Sequence, residues 1–210
     1  MKTKFFMVLI ALAMVFSFSY GLQAQTLTSD IVFLKVGYVP ISTTSFDEVL
    51  VDKNEANGFA IQGEYNLNFN NFWIGFGLEY QRLSSELKTP ASTSDKYINQ
   101  FIQPMISAKF AAVGGLYVGA SLSGKYLIAT EKKNGFEWDK KFDVWANGIL
   151  GYYMPIAEAV FLDLEGRFGY NLTNKQFTKV ADAAGSLDIK SAYDIAFYVG
   201  IGYRAAGSDY

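Results

Sequence analysis

Between residues 59 and 69 the chain reads Phe-Ala-Ile-Gln-Gly-Glu-Tyr-Asn-Leu-Asn-Phe, and its side chains alternate without a break. Phe59, Ile61, Gly63, Tyr65, Leu67 and Phe69 fall on one face; Ala60, Gln62, Glu64, Asn66 and Asn68 fall on the other. A period of two is that of a strand, whose successive side chains point to opposite sides. Asn70-Asn71 supplies turn chemistry, and the pattern restarts with Phe72, Ile74, Phe76, Leu78 and Tyr80 against Trp73, Gly75, Gly77, Glu79 and Gln81. The same alternation runs over 116–126, 160–171 and 193–204. Across these five segments the apolar face carries no charge. The opposite face carries eight charged residues and no Val, Ile, Leu or Met.

Three weaker strands, Ile31–Val39, Ile98–Phe110 and Phe142–Tyr153, complete a set of eight. Pro104 lies inside the second of these. Its missing N–H predicts a bulge or a strand end nearby. The connections alternate in length. Segments 40–58, 83–97, 130–141 and 173–192 are long, whereas 70–71, 111–115 and 154–159 are short. An up-and-down antiparallel meander has this form, with both termini on the short-turn side. Asn134-Gly135 is a hairpin turn signal. It predicts that the fifth and sixth strands run on and close there, with Phe136 and Trp138 on one face and Glu137 and Asp139 on the other. Segment 84–97 reads as mobile surface loop.

Alternation alone leaves open whether the apolar face looks out at hydrocarbon or in at a shared lumen. Length favours the first. The strands run about 10–13 residues, against a mode of about 5–6 in soluble sheets. Aromatics bracket the apolar face: Phe59 with Phe69, Phe72 with Tyr80, Tyr193 with Tyr203. A ten-residue step spans about 33 Å, and a tilt of about 40° reduces this to about 25 Å, the height of the apolar band of a transmembrane barrel. Phe59, Tyr65, Phe69, Phe72, Tyr80, Tyr126, Tyr170, Tyr193 and Tyr203 are therefore candidate interfacial girdle residues. The remaining alternative is a soluble barrel binding a lipophilic ligand in an apolar lumen.

Residues 1–24 read as a cleavable signal peptide, with Lys2 and Lys4 ahead of an apolar run from Phe5 to Phe18 and cleavage after Ala24 or Gly21. Residues 25–210 then form a single barrel domain. The chain has 210 residues and neither Cys nor His. This excludes disulfides, Cys/His metal sites, Cys nucleophiles and Ser-His triads. Eighteen basic against 20 acidic side chains give no reason to expect nucleic acid. No cofactor and no metal are expected.

The signal segment, the strand-turn meander and the last strand, Tyr193–Arg204 with its alternating aromatics and glycines, resemble the small eight-stranded outer-membrane barrels of Gram-negative envelopes, of OmpA-like and OmpX-like type. The resemblance covers nearly all of the chain after residue 24. It implies an all-β, eight-stranded antiparallel up-and-down transmembrane β-barrel, integral to the cell outer membrane, with both termini periplasmic. Outer-membrane lipid and lipopolysaccharide are the implied surroundings. The implied partner during biogenesis is the barrel assembly machinery reading the last strand; the long loops are a further route to an extracellular partner. The resemblance departs at Ala205–Tyr210, which follow where the family's strand usually closes.

Eight strands enclose an interior just wide enough for side chains to fill. The residues the alternation sends there are Lys35, Glu64, Glu79, Lys109, Lys125, Asp143, Asp163, Glu165, Arg167, Asp194 and Arg204. With six acids against five bases, a mutually paired polar plug is the expectation. A narrow porin-like channel for small solutes is the alternative. Glu64 and Glu79 are candidates to face each other across the 70–71 turn and share a proton. Enzymes of the resembled architecture use His, which this chain lacks. The expectation is a non-enzymatic structural or surface-interaction protein.

Overall fold

A computed structural model of the chain describes residues 30–48, 51–69, 71–89, 92–112, 115–131, 136–138, 142–173, 177–180 and 186–204. The expected signal segment, Asn134-Gly135 and residues 205–210 lie outside them. The described residues form β1 (Ile31–Glu48), β2 (Val51–Phe69), β3 (Phe72–Thr89), β4 (Ser92–Ala111), β5 (Leu116–Glu131), β6 (Phe136–Trp138), β7 (Phe142–Ala157), β8 (Val160–Asn171), β9 (Phe177–Val180) and β10 (Ser186–Arg204).

Neighbouring strands pair antiparallel in the order β1-β2-β3-β4-β5-β7-β8-β10, and β1 pairs back onto β10. The sheet is thus a closed, all-β, eight-stranded up-and-down barrel. Ile31 meets Arg204, so the described chain ends lie together at the end of the short turns. Closure removes the edges that long apolar strands would otherwise expose.

The apolar faces look outward. Large hydrophobics from Leu34 and Val36 round to Phe197 and Ile201 are 37% to 64% exposed, while the polar faces of the same strands are buried. Leu164 and Ile201 point out, whereas Glu165 beside Leu164 on β8 and Glu79 on β3 point in. An apolar lumen for a lipophilic ligand is therefore not what the alternation builds, because the lumen is where the charges are.

Three expectations have their outcome here. The first is met: Pro104 faces outward, opposite Leu78 in an unbroken β3–β4 register, and the β4–β5 register shifts nearby, between Gln100 and Phe101. Secondly, 40–58 and 83–97 are not long loops. They are the upper halves of β1 to β4, whose strands run 18, 19, 18 and 20 residues and leave 49–50 and 90–91 as the connections. With the 19 residues of β10 they form a wall that stands above the 12-residue β8. Thirdly, β6 does not extend β5. Phe136–Trp138 pairs with Phe177–Val180, which pairs in turn with Ser186–Asp188. The segment joins the 173–192 connection because β10 projects an edge there, and edges recruit strands.

Lumen aromatics find room over glycine. A Cβ on Gly151 would stand 2.2 Å from Tyr117 Cζ, and one on Gly202 would stand 2.3 Å from Phe33 Cε1. Each ring lies across the bare backbone of the adjoining strand, since Tyr117 is the cross-strand partner of Gly151 and Phe33 that of Gly202.

Candidate functional site

The lumen is layered. Nearest the short turns, Ile31, Phe33, Trp73, Ala111, Tyr117, Ile149 and Phe161 pack together, with Tyr153 against them. Trp73 lies 5.6 Å from Tyr117 and 5.1 Å from Tyr153 between ring centroids, within the range of favourable aromatic pairing. Arg204, half-exposed at this mouth, sets its guanidinium 4.8 Å over Phe161.

Above this aromatic floor is a charged layer drawn from strands all round the barrel. Lys35 Nζ lies 2.6 Å from Glu165 Oε2, 2.8 Å from Asp163 Oδ2 and 3.2 Å from Glu64 Oε2. Lys109 Nζ lies 2.7 Å from Glu64 Oε2 and 3.2 Å from Glu165 Oε2. Arg167 forks between Glu79 Oε2 at 2.6 Å and Glu165 Oε1 at 2.8 Å, and donates to Gln62 Oε1 at 2.6 Å. Tyr117 donates to Asp163 and Glu165, and Tyr198 to Glu79. These seven charged residues are at most 4% exposed. Charges taken out of water hold their place only when paired and hydrogen-bonded, and each of these has several partners.

Higher still, Lys125 pairs with Asp194 at 3.2 Å and sits 4.5 Å over Trp145 and 4.9 Å over Phe101. Asp143 accepts from Asn171 and Thr173. An apolar layer of Val39, Leu83, Phe101, Leu127 and Trp145, among others, surrounds this level.

Of the lumen candidates, Lys35, Glu64, Glu79, Lys109, Asp163, Glu165 and Arg167 converge on one network. Lys125, Asp143 and Asp194 form a separate upper group, and Arg204 stands at the mouth. Glu64 and Glu79 are not a pair. Their cross-strand partners are Gly77 and Gln62, so they are offset by two positions, and each is claimed by different cations. A proton shared between them has no geometric basis. Tyr117, Tyr198, Gln62 and Ser107 belong to the network but were not candidates. Alternation places them on the polar faces, but their partners are set only when the barrel closes.

On the outside, Phe59 and Tyr80 approach to 6.4 Å and Phe168 and Tyr193 to 6.3 Å between ring centroids. Tyr80 donates to Gln100, and Arg82 and Gln100 both reach Glu131, a polar cluster just beyond the apolar faces of β3, β4 and β5. Tyr65 donates to Asp30 toward the opposite end. Tyr126, Tyr170 and Tyr193 face outward at the level of Phe59 and Tyr80, and Phe69, Phe72 and Tyr203 face outward near the short turns.

No family model matches the sequence, and no curated protein matches it significantly in sequence. Solved structures match its fold. The outer membrane protein OprG from Pseudomonas aeruginosa is 11% identical, with a TM-score of 0.52 over 86% of this chain and 98% of that one. Neisserial surface protein A is 15% identical, with a TM-score of 0.50 over 84% and 97%. The outer membrane protein AlkL, solved in DMPC lipid bilayers, is 11% identical, with a TM-score of 0.53 over 87% and 92%. The likeness is one of fold: this chain closes the same kind of small antiparallel barrel as these outer-membrane proteins.

Proposed function

We propose that the protein is an integral outer-membrane barrel whose lumen is filled by its own side chains, with a structural or surface-interaction role and no enzymatic activity. One observation carries the reading. An unbroken apolar belt faces outward while seven charged residues are shut inside, which is the reverse of a water-soluble barrel. Only a hydrocarbon surround makes that arrangement favourable, at about 25 cal/mol per Å² of apolar surface kept from water.

The belt has chemical borders. Tyr65 with Asp30 marks one, and Tyr80, Arg82, Gln100 and Glu131 mark the other. Aromatics with one wet end suit those levels, and Phe59, Tyr65, Phe69, Phe72, Tyr80, Tyr126, Tyr170, Tyr193 and Tyr203 are the proposed girdles. The described ends, Ile31 and Arg204, lie at the short-turn end, which by the usual barrel orientation is periplasmic. The tall wall of β1 to β4 and β10 then faces outside, where lipopolysaccharide and any extracellular partner meet it.

Against catalysis stands the engagement of the lumen carboxylates. Glu64, Glu79, Asp163 and Glu165 each accept from a cation or hydroxyl, which leaves none poised as a free base or nucleophile. Against conduction stands the stack of aromatic floor, charged network and apolar layer. Membrane fractionation with heat-modifiable migration on a denaturing gel tests location: recovery in the soluble fraction, folded in plain buffer, overturns it. Planar-bilayer recording tests the plug, and reproducible discrete steps from purified protein would replace it with the narrow-channel reading.

A further inference from the structure

The β4–β5 ladder carries one extra residue on β5. Gln100 opposes Ala129 and Phe101 opposes Leu127, so Ile128 has no partner of its own. Such a bulge reverses which face each later residue takes. Leu122 and Tyr126 face outward below it. Unbroken, that alternation would turn Glu131 into the lumen. Instead Ile128 faces outward, Thr130 donates to the buried Asn99, and Glu131 lies on the outer surface opposite Ile98.

There Glu131 completes a polar group at the upper border of the apolar belt. Gln100 donates to it at 3.1 Å, Tyr80 donates to Gln100 at 2.9 Å, and Arg82 Nη2 lies 3.4 Å from both carboxylate oxygens. The Arg82–Glu131 pair is long and open, with side chains 38% and 53% exposed. A pair of this kind adds little to stability. Among the described residues only Nη2 of Arg82 makes a hydrogen bond, which leaves the donors on Nε and Nη1 for something else. Beside and below the group lie Phe59, Ile102, Tyr126 and Ile128, 37% to 43% exposed on the belt. Charge and apolar surface therefore meet along one line, as they do in an amphiphile.

We propose that this group is a docking site for the head of a phosphorylated glycolipid in the outer leaflet, with the phosphate on Arg82 and a sugar hydroxyl on Glu131. A guanidinium offers paired N–H donors in a plane that matches phosphate oxygens. The Glu131 carboxylate accepts from Arg82 and Gln100 and keeps lone pairs for a hydroxyl donor. A bare phosphate would meet repulsion from Glu131. The fitting ligand carries hydroxyl donors next to its anion, as a phosphorylated sugar does. Its acyl chains then lie along Phe59, Ile102, Tyr126 and Ile128. The bulge at Ile128 is what puts the acceptor beside the donor fork. The proposal rests on the membrane reading, because an outer leaflet stands at this level only if hydrocarbon surrounds the belt and the short turns are periplasmic.

The test uses the full chain folded in nonionic detergent and native mass spectrometry with added lipid A, bisphosphorylated against dephosphorylated. The phosphorylated form is expected to be retained about tenfold better, the worth of one charge-assisted contact. Arg82→Met is expected to abolish that preference and Arg82→Lys, a cation without the fork, to keep part of it. Glu131→Leu is expected to weaken retention, and Glu131→Gln, which can still accept, to keep most of it. Arg204→Met, which removes a cation at the opposite end, should change nothing. Equal retention of the two lipids, or of phosphorylated lipid A by wild type and Arg82→Met, overturns the proposal. Displacement of the lipid by millimolar inorganic phosphate assigns the site to free anions and overturns it too. Should Arg82→Met fail to fold, Arg82→Lys and the comparison of the two lipids still decide. Failure of the membrane reading looks different: the chain is then recovered soluble on fractionation, whereas failure of this proposal alone leaves a chain that inserts into vesicles and retains both lipids alike.

Discussion

Arg167 Nη1 and Glu79 Oε2 meet at 2.6 Å although β8 and β3 stand on opposite sides of the barrel, four strands apart either way round. One side chain from each wall bridges the lumen. The same guanidinium holds Glu165 and Gln62, so a single residue ties β8 to β2 and β3. The plug is therefore part of what holds the barrel closed.

Removing one member should cost more than removing the pair. Arg167→Met leaves Glu79 and Glu165 short of a partner in a dry site, and a loss of about 3–5 kcal/mol is expected. Arg167→Met with Glu79→Gln should recover part of it. Urea midpoints in detergent micelles, compared as a double-mutant cycle, measure the coupling.

The glycines that receive rings are a second point of stress. Gly151→Ala drives a methyl to 2.2 Å from Tyr117, whose hydroxyl is held by Asp163 and Glu165 and cannot swing clear. Overpacking of this kind costs about 1–3 kcal/mol. Gly148→Ala, three positions away on the outer face with nothing within 4 Å, is the control and should be neutral. The folded, heat-modifiable fraction of each variant gives the comparison.

The outer belt predicts a depth profile. Leu150→Arg and Leu164→Arg place a charge among residues that are 57% and 44% exposed in mid-belt, and a cost of about 2–4 kcal/mol is expected. Gln100→Arg, in the polar cluster with Glu131, should cost about 0–1 kcal/mol. Folding midpoints in phospholipid vesicles distinguish the two. A flat profile would show that hydrocarbon does not surround the belt.

Three layers obstruct the lumen, so breaching one should not open it. Trp73→Ala thins the aromatic floor, Arg167→Ala breaks the charged layer above, and Trp145→Ala thins the upper apolar layer. Each variant alone is expected to remain silent in planar bilayers, and the triple variant to give discrete conductance.

Alternation in the sequence was enough to divide each strand into an outer and an inner side, because the strand period is two and depends on no neighbour. Lys35, Glu64 and Arg167 could be sent inward, and Phe59 and Tyr203 outward, from the chain alone. Absent His and Cys likewise narrowed the chemistry before any fold was known. The partners were another matter. Glu64 meets Lys109 and not Glu79, and Arg167 crosses to Glu79, because strand tilt and stagger set which levels coincide once the barrel closes. Strand length above the belt was also hidden. Segments 40–58 and 83–97 lose the strict alternation of the lower strands, so they read as loop although their described backbones remain paired. Phe136–Trp138 sits on β9 for the same reason: strand pairing beyond the barrel follows whichever edge is within reach, and reach is a property of the folded chain.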